Sequence, residues 1–318
     1  MLQLPDTPDA ITTEWLAHAL DAPVAAHRVV DAHAGTTGRA VLELDYSAAI
    51  DLPSRLFVKL PPTDEMQRAF VTSSGMGRRE ALFYEQLSSE VPVRVPHSYF
   101  SASDDAGDHY IMLLEHLEDS GCTFQNASSH YSLDYIRAVL AGFARLHAAY
   151  WESPRFAQDL DWVEPPMQHE IAIDLVGSAL QQFADQMPPV FREMGELYLG
   201  QTDAVHELWK NGPQTLIHGD VHDANLFLDG DEPGFLDWAV LARGPGMRDV
   251  GYFLAGTLQG ADRGSIRALL EYYCGQLQQC GVQPPTAEET WRQCQWHAAY
   301  VWVGAAVTLA MGLSLIHI

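Results

Sequence analysis

The hydrophobic period of this chain of 318 residues changes near residue 117, and that change limits the folds open to it. Up to about residue 117 the apolar positions mostly follow the alternation of a strand. VLELDYS (residues 41–47) alternates apolar and polar, and DLPSR then turns the chain. RLFVKLPP (residues 55–62) is a second strand, ended by two prolines that cannot donate to a ladder. RVPHSYFSAS and HYIMLLEHL read as a hairpin around the turn DDAGD (residues 104–108). One segment of this part, GRREALFYEQLSSE (residues 77–90), is helical, with Ala81, Leu82, Tyr84, Glu85 and Leu87 read as its stripe among good helix formers.

After Leu117 the period becomes that of a helix. In YSLDYIRAVLAGFARLHAAYW, Ile136, Val139, Leu140, Phe143, Leu146 and Tyr150 share one face at steps of three and four, with Ser132 placed as N-cap. Helices are also expected at about residues 170–187 and 190–210, and again from Ile266 onward. Strands first and helices after make an α+β protein, with a boundary near residues 115–119: a sheet-rich part at 1–115 and a larger helical part at 116–318.

Composition removes several function classes. Hydrophobic residues make up 47%, which excludes a disordered chain, and the net charge of −24 repels polyanions, so nucleic acid is not an expected partner. The same charge mildly favours a cationic substrate. Cys122, Cys274, Cys280 and Cys294 form no C-x-x-C pair and no zinc spacing. With no basic or apolar leader at the N-terminus, a cytoplasmic protein with reduced thiols is expected. Residues 298–318 lack Asp, Glu, Lys and Arg, and read as a buried helix rather than a membrane span. The final LSLIHI has no cap or polar tail, which fits a natural chain that continues or foreign last residues. Only two of the 18 basic residues are lysines, Lys59 and Lys210, so their retention invites a reason.

The chemistry concentrates in LIHGDVHDANLFLDG (residues 216–230) and its sequel. Two short apolar strands flank the turn DGDEPG, a hairpin with Asn225 at its entrance and Asp237 at its exit. Asp220 lies five residues before Asn225, on a loop opened by Gly219. Converging oxygen ligands of this kind suit Mg²⁺, which is commonly held by one or two carboxylates and substrate phosphates. His218, Asp220, His222 and Asp223 could alternatively form a transition-metal cluster.

The pattern H-G-D-x-H-x-x-x-N, followed by an apolar-flanked Asp, resembles the catalytic and metal loops of the aminoglycoside phosphotransferase and choline kinase superfamily. The resemblance implies a bilobal protein-kinase-like fold, with a small sheet-rich N-lobe that binds nucleotide and a large helical C-lobe that carries the acceptor site. It extends over about residues 35–249. Lys59, on a strand, would hold the α and β phosphates, and Glu80, on the following helix, would hold Lys59. Gly35, Thr36, Thr37 and Gly38 would form the turn over the phosphates, although they fall short of a full G-x-G-x-x-G. Backbone groups near Glu115 and Leu117 would bind adenine. Within the superfamily, LFVKLPP, IMLLEHL and RGPGMRDVGYFLAG look most like the ecdysteroid-kinase-like branch.

The implied activity is ATP-dependent transfer of the γ-phosphate to a hydroxyl of a small molecule: an antibiotic, a sterol-like alcohol or an amino alcohol. Asn225 and Asp237 would hold Mg²⁺, and Asp220 would accept a hydrogen bond from the acceptor hydroxyl. His218 is expected to brace the loop, and Asp249 to be a buried loop-fixing carboxylate, with Arg243 or Arg248 as its partner. His147 would pack between helices. Trp162, Trp209, Trp291, Trp296 and Trp302 offer apolar walls for an acceptor. A metallohydrolase and an inactive nucleotide-binding module are the rival readings.

Overall fold

In a computed structural model, which describes residues 3–125, 131–168 and 170–310, the alternating segments of the first third pair into one antiparallel sheet. In chain order the elements there are α1 (Thr13–Ala19), β1 (Val24–Ala34), β2 (Gly38–Tyr46), β3 (Arg55–Leu60), α2 (Glu65–Ser74), α3 (Met76–Leu82), β4 (Ser98–Ser103) and β5 (Tyr110–Glu115). There follow α4 (Leu133–Ala149), α5 (Glu170–Phe183), α6 (Pro189–Gly200), α7 (Thr202–Trp209), β6 (Gln214–Ile217), β7 (Leu226–Asp229), β8 (Glu232–Phe235), β9 (Ala242–Pro245), α8 (Met247–Thr257), α9 (Ile266–Gln279) and α10 (Ala287–Ala310).

The chain divides into two compact units: Met1–Thr123 with Leu228–Val240, and Phe124–Phe227 with Leu241–Ile318. A single cut at residue 115 did not anticipate the return of Leu228–Val240 to the first unit.

The first unit is built on the strand order β1-β2-β3-β5-β4. Period two sends alternate residues to opposite faces. Ala40, Leu42, Leu44, Leu56, Val58, Leu60, Ile111 and Leu113 pack with Trp15 and Leu16 of α1 into one buried cluster. Each large aliphatic side chain buried there contributes roughly 1.5–3 kcal/mol. Lys59, between Val58 and Leu60, therefore points to the other face, and the β2–β3 register sets Arg39 opposite it. Helix α3 packs close to β5: a Cβ at Gly77 would lie 2.0 Å from the Tyr110 ring, so no larger residue fits. A π turn, Phe83–Leu87, extends α3, with the amide of Ser88 reaching the Phe83 carbonyl at 2.9 Å.

The second unit is mainly helical. Ser132 caps α4, its hydroxyl accepting from the Tyr135 amide at 3.1 Å, and α4 buries the stripe from Ile136 to Leu146. Strands β6 and β9 pair antiparallel, Ile217 opposite Ala242, so the loop after β6 starts beside the strand that leads into α8. Helix α10 packs on α8 and on α5.

Three features differ from the sequence expectation. The first third holds three helices rather than one, the extra pair being α1 and α2. The expected helix at 190–210 is two helices, divided at Gly200 and Gln201. Helix α8 appears where no helix was expected, ahead of Ile266. Among the described residues no helix is long and apolar enough to cross a membrane. The terminal LSLIHI lies outside the described residues.

Candidate active site

In the first unit, four charged side chains meet on the α3-facing side of the sheet. Lys59 Nζ lies 2.5 Å from Glu80 Oε2 and 3.1 Å from Asp237 Oδ1, and Arg39 Nη2 lies 3.2 Å from Asp237 Oδ2. Lys59 and Glu80 are buried. Burial would discharge the lysine, but the fields of Asp237 and Glu80 outweigh it and raise its pKa above the ordinary value. Burial also pushes the Glu80 carboxyl up, to about 7, with Lys59 pulling it back. Two cations against two carboxylates leave the cluster near neutrality.

Glu80 has a second task. Its Oε1 accepts from the Trp238 amide at 3.2 Å, while Arg79 donates to the Ala239 carbonyl at 3.1 Å and Phe83 stacks on Trp238 at 4.1 Å. One turn of α3 thus grips residues 237–239. Asp237 itself has φ +64, a left-handed conformation uncommon for a residue with a side chain. Held strain of this kind is concentrated at functional sites.

The turn between β1 and β2 holds Gly35, Thr36, Thr37 and Gly38. The Gly35 amide donates to the Thr37 carbonyl at 3.0 Å, and the Gly35 carbonyl accepts from Gln67 of α2 at 2.6 Å. The Thr37 hydroxyl is buried and finds no partner among the described residues. At the end of β5 the Glu115 carboxylate takes a two-pronged bond from Arg94 at 2.7 and 2.8 Å, and Arg94 Nε reaches Asp229 at 2.8 Å. The Glu115 amide donates to the His97 carbonyl, and the Leu117 carbonyl accepts from the Cys122 amide. The side chain of Glu115 is thus structural, and the Glu115 amide and the Leu117 carbonyl are engaged within the protein.

In the second unit, Asp220 sits on the loop after β6. Its Oδ1 accepts from the Tyr252 hydroxyl at 3.2 Å, and its Oδ2 lies 3.3 Å from Asn225 Nδ2 and 3.5 Å from His222 Nε2. Asn225, buried, also donates to the Asp220 carbonyl at 2.9 Å. With its nitrogen so fixed, Asn225 has its oxygen Oδ1 for a cation, and an amide oxygen is a hard ligand of the type Mg²⁺ takes. Asp223 is used by the Tyr131 hydroxyl at 2.9 Å. Among the described residues no group of three or more His, Cys, Asp or Glu side chains is placed to hold a metal ion, so the histidine-rich hydrolase cluster gains no geometric support.

The loop is braced by Asp249, which is fully buried. It accepts from the amides of His218 at 2.7 Å and Gly219 at 2.9 Å, and its Oδ2 lies 3.3 Å from His147 Nε2. Burial would raise the Asp249 carboxyl, but the His147 bond, the fields of His147 and His218 and the Gly219 amide hold it below its ordinary value. The expected partners Arg243 and Arg248 are not those found; His147, itself bonded to Tyr273 at 2.8 Å, takes that place. His218 Nδ1 accepts from the Asp220 amide at 3.3 Å, which fixes the backbone of the loop.

Sequence reasoning missed two residues here. Arg39 carried no motif signal, and only strand register reveals that it faces Lys59. Tyr252 lies on the unexpected helix α8. Its buried hydroxyl, pushed up in pKa first by burial and then by Asp220, stays a protonated donor to that carboxylate.

Comparison with known proteins bears on the fold and the family. The macrolide 2'-phosphotransferase MphH of Brachybacterium faecium superposes with TM-score 0.54 at 18% identity, covering 95% of this chain and 93% of that one. The GDP complex of aminoglycoside 2'-phosphotransferase-IIIa gives TM-score 0.57 at 11% identity, over 95% and 92% of the two chains. At these identities the likeness is one of fold, and the fold is α+β and protein-kinase-like. The methylthioribose kinase of Bacillus velezensis is 25% identical over 213 residues, 62% of this chain, and the match spans half of that relative's length. The sequence model of the ecdysteroid kinase-like family matches residues 31–282, and the chain belongs to that family.

Proposed function

We propose that this protein is a small-molecule kinase that moves the γ-phosphate of ATP to an alcohol. The observation that carries the reading is the buried Lys59, held charged between Glu80 and Asp237. A cation kept at such a position is a point charge for phosphate oxygens, a task for which the compact ammonium suits better than a guanidinium fork. The kinases and phosphotransferases among its relatives support the same chemistry.

In this reading Lys59, oriented by Glu80, binds the α and β phosphates. Arg39 joins it as a second cation, since both face the same side of the sheet. The turn at residues 35–38 lies over the phosphates, and backbone groups near Glu115 and Leu117 bind the base. Asp220 accepts a hydrogen bond from the acceptor hydroxyl and aligns it for in-line attack, and Tyr252 and Asn225 keep its carboxylate in place. Asn225 and Asp237 are the proposed magnesium ligands. The ion, when bound, would neutralise charge on the transferred phosphate.

The test is a screen of hydroxyl compounds for acceptor-stimulated release of ADP. Wild-type protein is expected to respond to at least one alcohol, and Asp220→Asn to lower that rate on the order of 10²–10⁴-fold. A wild-type response unchanged in Asp220→Asn would remove Asp220 from the reaction.

A further inference from the structure

Arg248 is a largely buried cation with no counter-ion among the described residues. It lies at the second helical position of α8, where the helix dipole disfavours positive charge. It is 7% exposed, its Nε is buried without a hydrogen-bond partner, and its Nη atoms make no hydrogen bond among the described residues. Its guanidinium rests 3.6 Å above the Tyr300 ring, and it forms no ion pair among the described residues. The chain has 42 acidic residues against 18 basic ones, so an unpaired buried arginine is not for want of carboxylates. The adjacent Asp249 is engaged by His147 and two loop amides.

The surroundings do not neutralise it either. His297, across a close approach where a Cβ on Gly251 would lie 3.1 Å from His297 Cβ, is fully buried, and neither ring nitrogen has a partner among the described residues. Burial first, then the charge of Arg248, keeps that imidazole neutral, with its pKa lowered to about 3. Burying a charge without a partner is unfavourable, so this guanidinium favours an anion brought to it.

The position says which anion. Arg248 and Tyr252 are four residues apart on α8 and so share a face. Both lie against Tyr300, the Tyr252 ring at 6.0 Å, and Tyr252 donates to Asp220. The unpaired cation is therefore one turn of helix from the group that touches the proposed acceptor-facing carboxylate.

We infer that Arg248 is the acceptor-binding cation, and that the alcohol phosphorylated by this protein carries an anionic group, a carboxylate or a phosphate, which the guanidinium holds while the hydroxyl meets Asp220. The inference rests on the kinase reading for the identity of Asp220 and goes beyond it in naming the acceptor's charge. It reverses the weak preference for a cationic acceptor that net charge alone gave.

The test uses matched probes: gluconate against sorbitol, 3-phenyllactate against its methyl ester, glycerol 3-phosphate against glycerol, and choline as a cationic control. Acceptor-stimulated ADP release in wild-type protein is expected to favour at least one anionic member over its neutral match by tenfold or more in kcat/KM. Which pair responds tells carboxylate from phosphate. Arg248→Met is expected to reduce that preference at least tenfold, mainly through KM, and Arg248→Lys to restore part of it. A wild-type preference for neutral or cationic alcohols would overturn the inference, as would an equal loss for all acceptors in Arg248→Met, which would place the cation on the nucleotide instead. Thermal stabilisation by the same anions needs no turnover. If no alcohol releases ADP, the kinase reading fails, while stabilisation present in wild type and absent in Arg248→Met would still support an anion site, and its absence in both would refute one.

Discussion

Lys59 is surrounded by carboxylate on two sides, and its removal acts on stability and chemistry in different ways. Lys59→Met leaves Glu80 buried without its cation, which is expected to destabilise the protein by about 3–5 kcal/mol in denaturant unfolding. Replacing both partners with apolar residues, Lys59→Met with Glu80→Met, is expected to recover much of that stability and none of the activity. If the double variant is as unstable as the single one, the ion pair is not the source of the loss. Arg39→Met, which removes the second cation from Asp237, is expected to raise KM for the nucleotide roughly ten- to a hundredfold, in line with the loss of charge-assisted hydrogen bonds. The sequence made Lys59 visible because lysine is rare in this chain, and Glu80 visible only through resemblance. Arg39, one arginine among sixteen, became distinct only when β2 paired with β3.

Among the elements, those that read clearly were the ones with one buried face. Strand β3 and helix α4 have such a pattern, and both lie close to their expected bounds. Strand β1 does not: two register shifts, between Val24 and Ala26 and between Val29 and Asp31, interrupt its alternation. Helix α8 is buried almost all round, and the GPG before it and two internal glycines signal a loop. That helix carries Asp249 and Tyr252, the supports of Asp220. Asp249→Ala is therefore expected to lower kcat more than tenfold with a smaller change in KM for nucleotide, since the loop amides lose their acceptor. Where α10 meets α8, His297 is neutral in the folded protein and would protonate near pH 6.5 in the unfolded chain. Between about pH 6.5 and its folded value of about 3, the unfolded chain binds a proton that the folded chain does not. Stability should thus fall with falling pH by about 1.4 kcal/mol per unit from this group, and His297→Leu should remove that slope. Parallel stability curves for the two proteins over this range would contradict the assignment.

For the whole molecule, the order of motifs from Gly35 to Asp249 was legible and the division into units was not. Asp237 belongs with Lys59 and Glu80 in the first unit, although the chain reaches it only after the loop of Asp220 and Asn225 in the second. A one-dimensional boundary cannot show a segment that returns. Net charge was similarly coarse: −24 is a sum over the chain, and it is silent on a single buried arginine. This member of the ecdysteroid kinase-like family is proposed to transfer phosphate from ATP to an alcohol at these residues. The most direct measurement is acceptor-dependent ADP and phosphorylated product, quantified together for wild type and for Asp237→Asn, with circular dichroism to confirm that the variant is folded. Equal amounts of ADP and product from wild type, with neither from the folded variant, is the expected result; ADP and product formed equally by both proteins would contradict it.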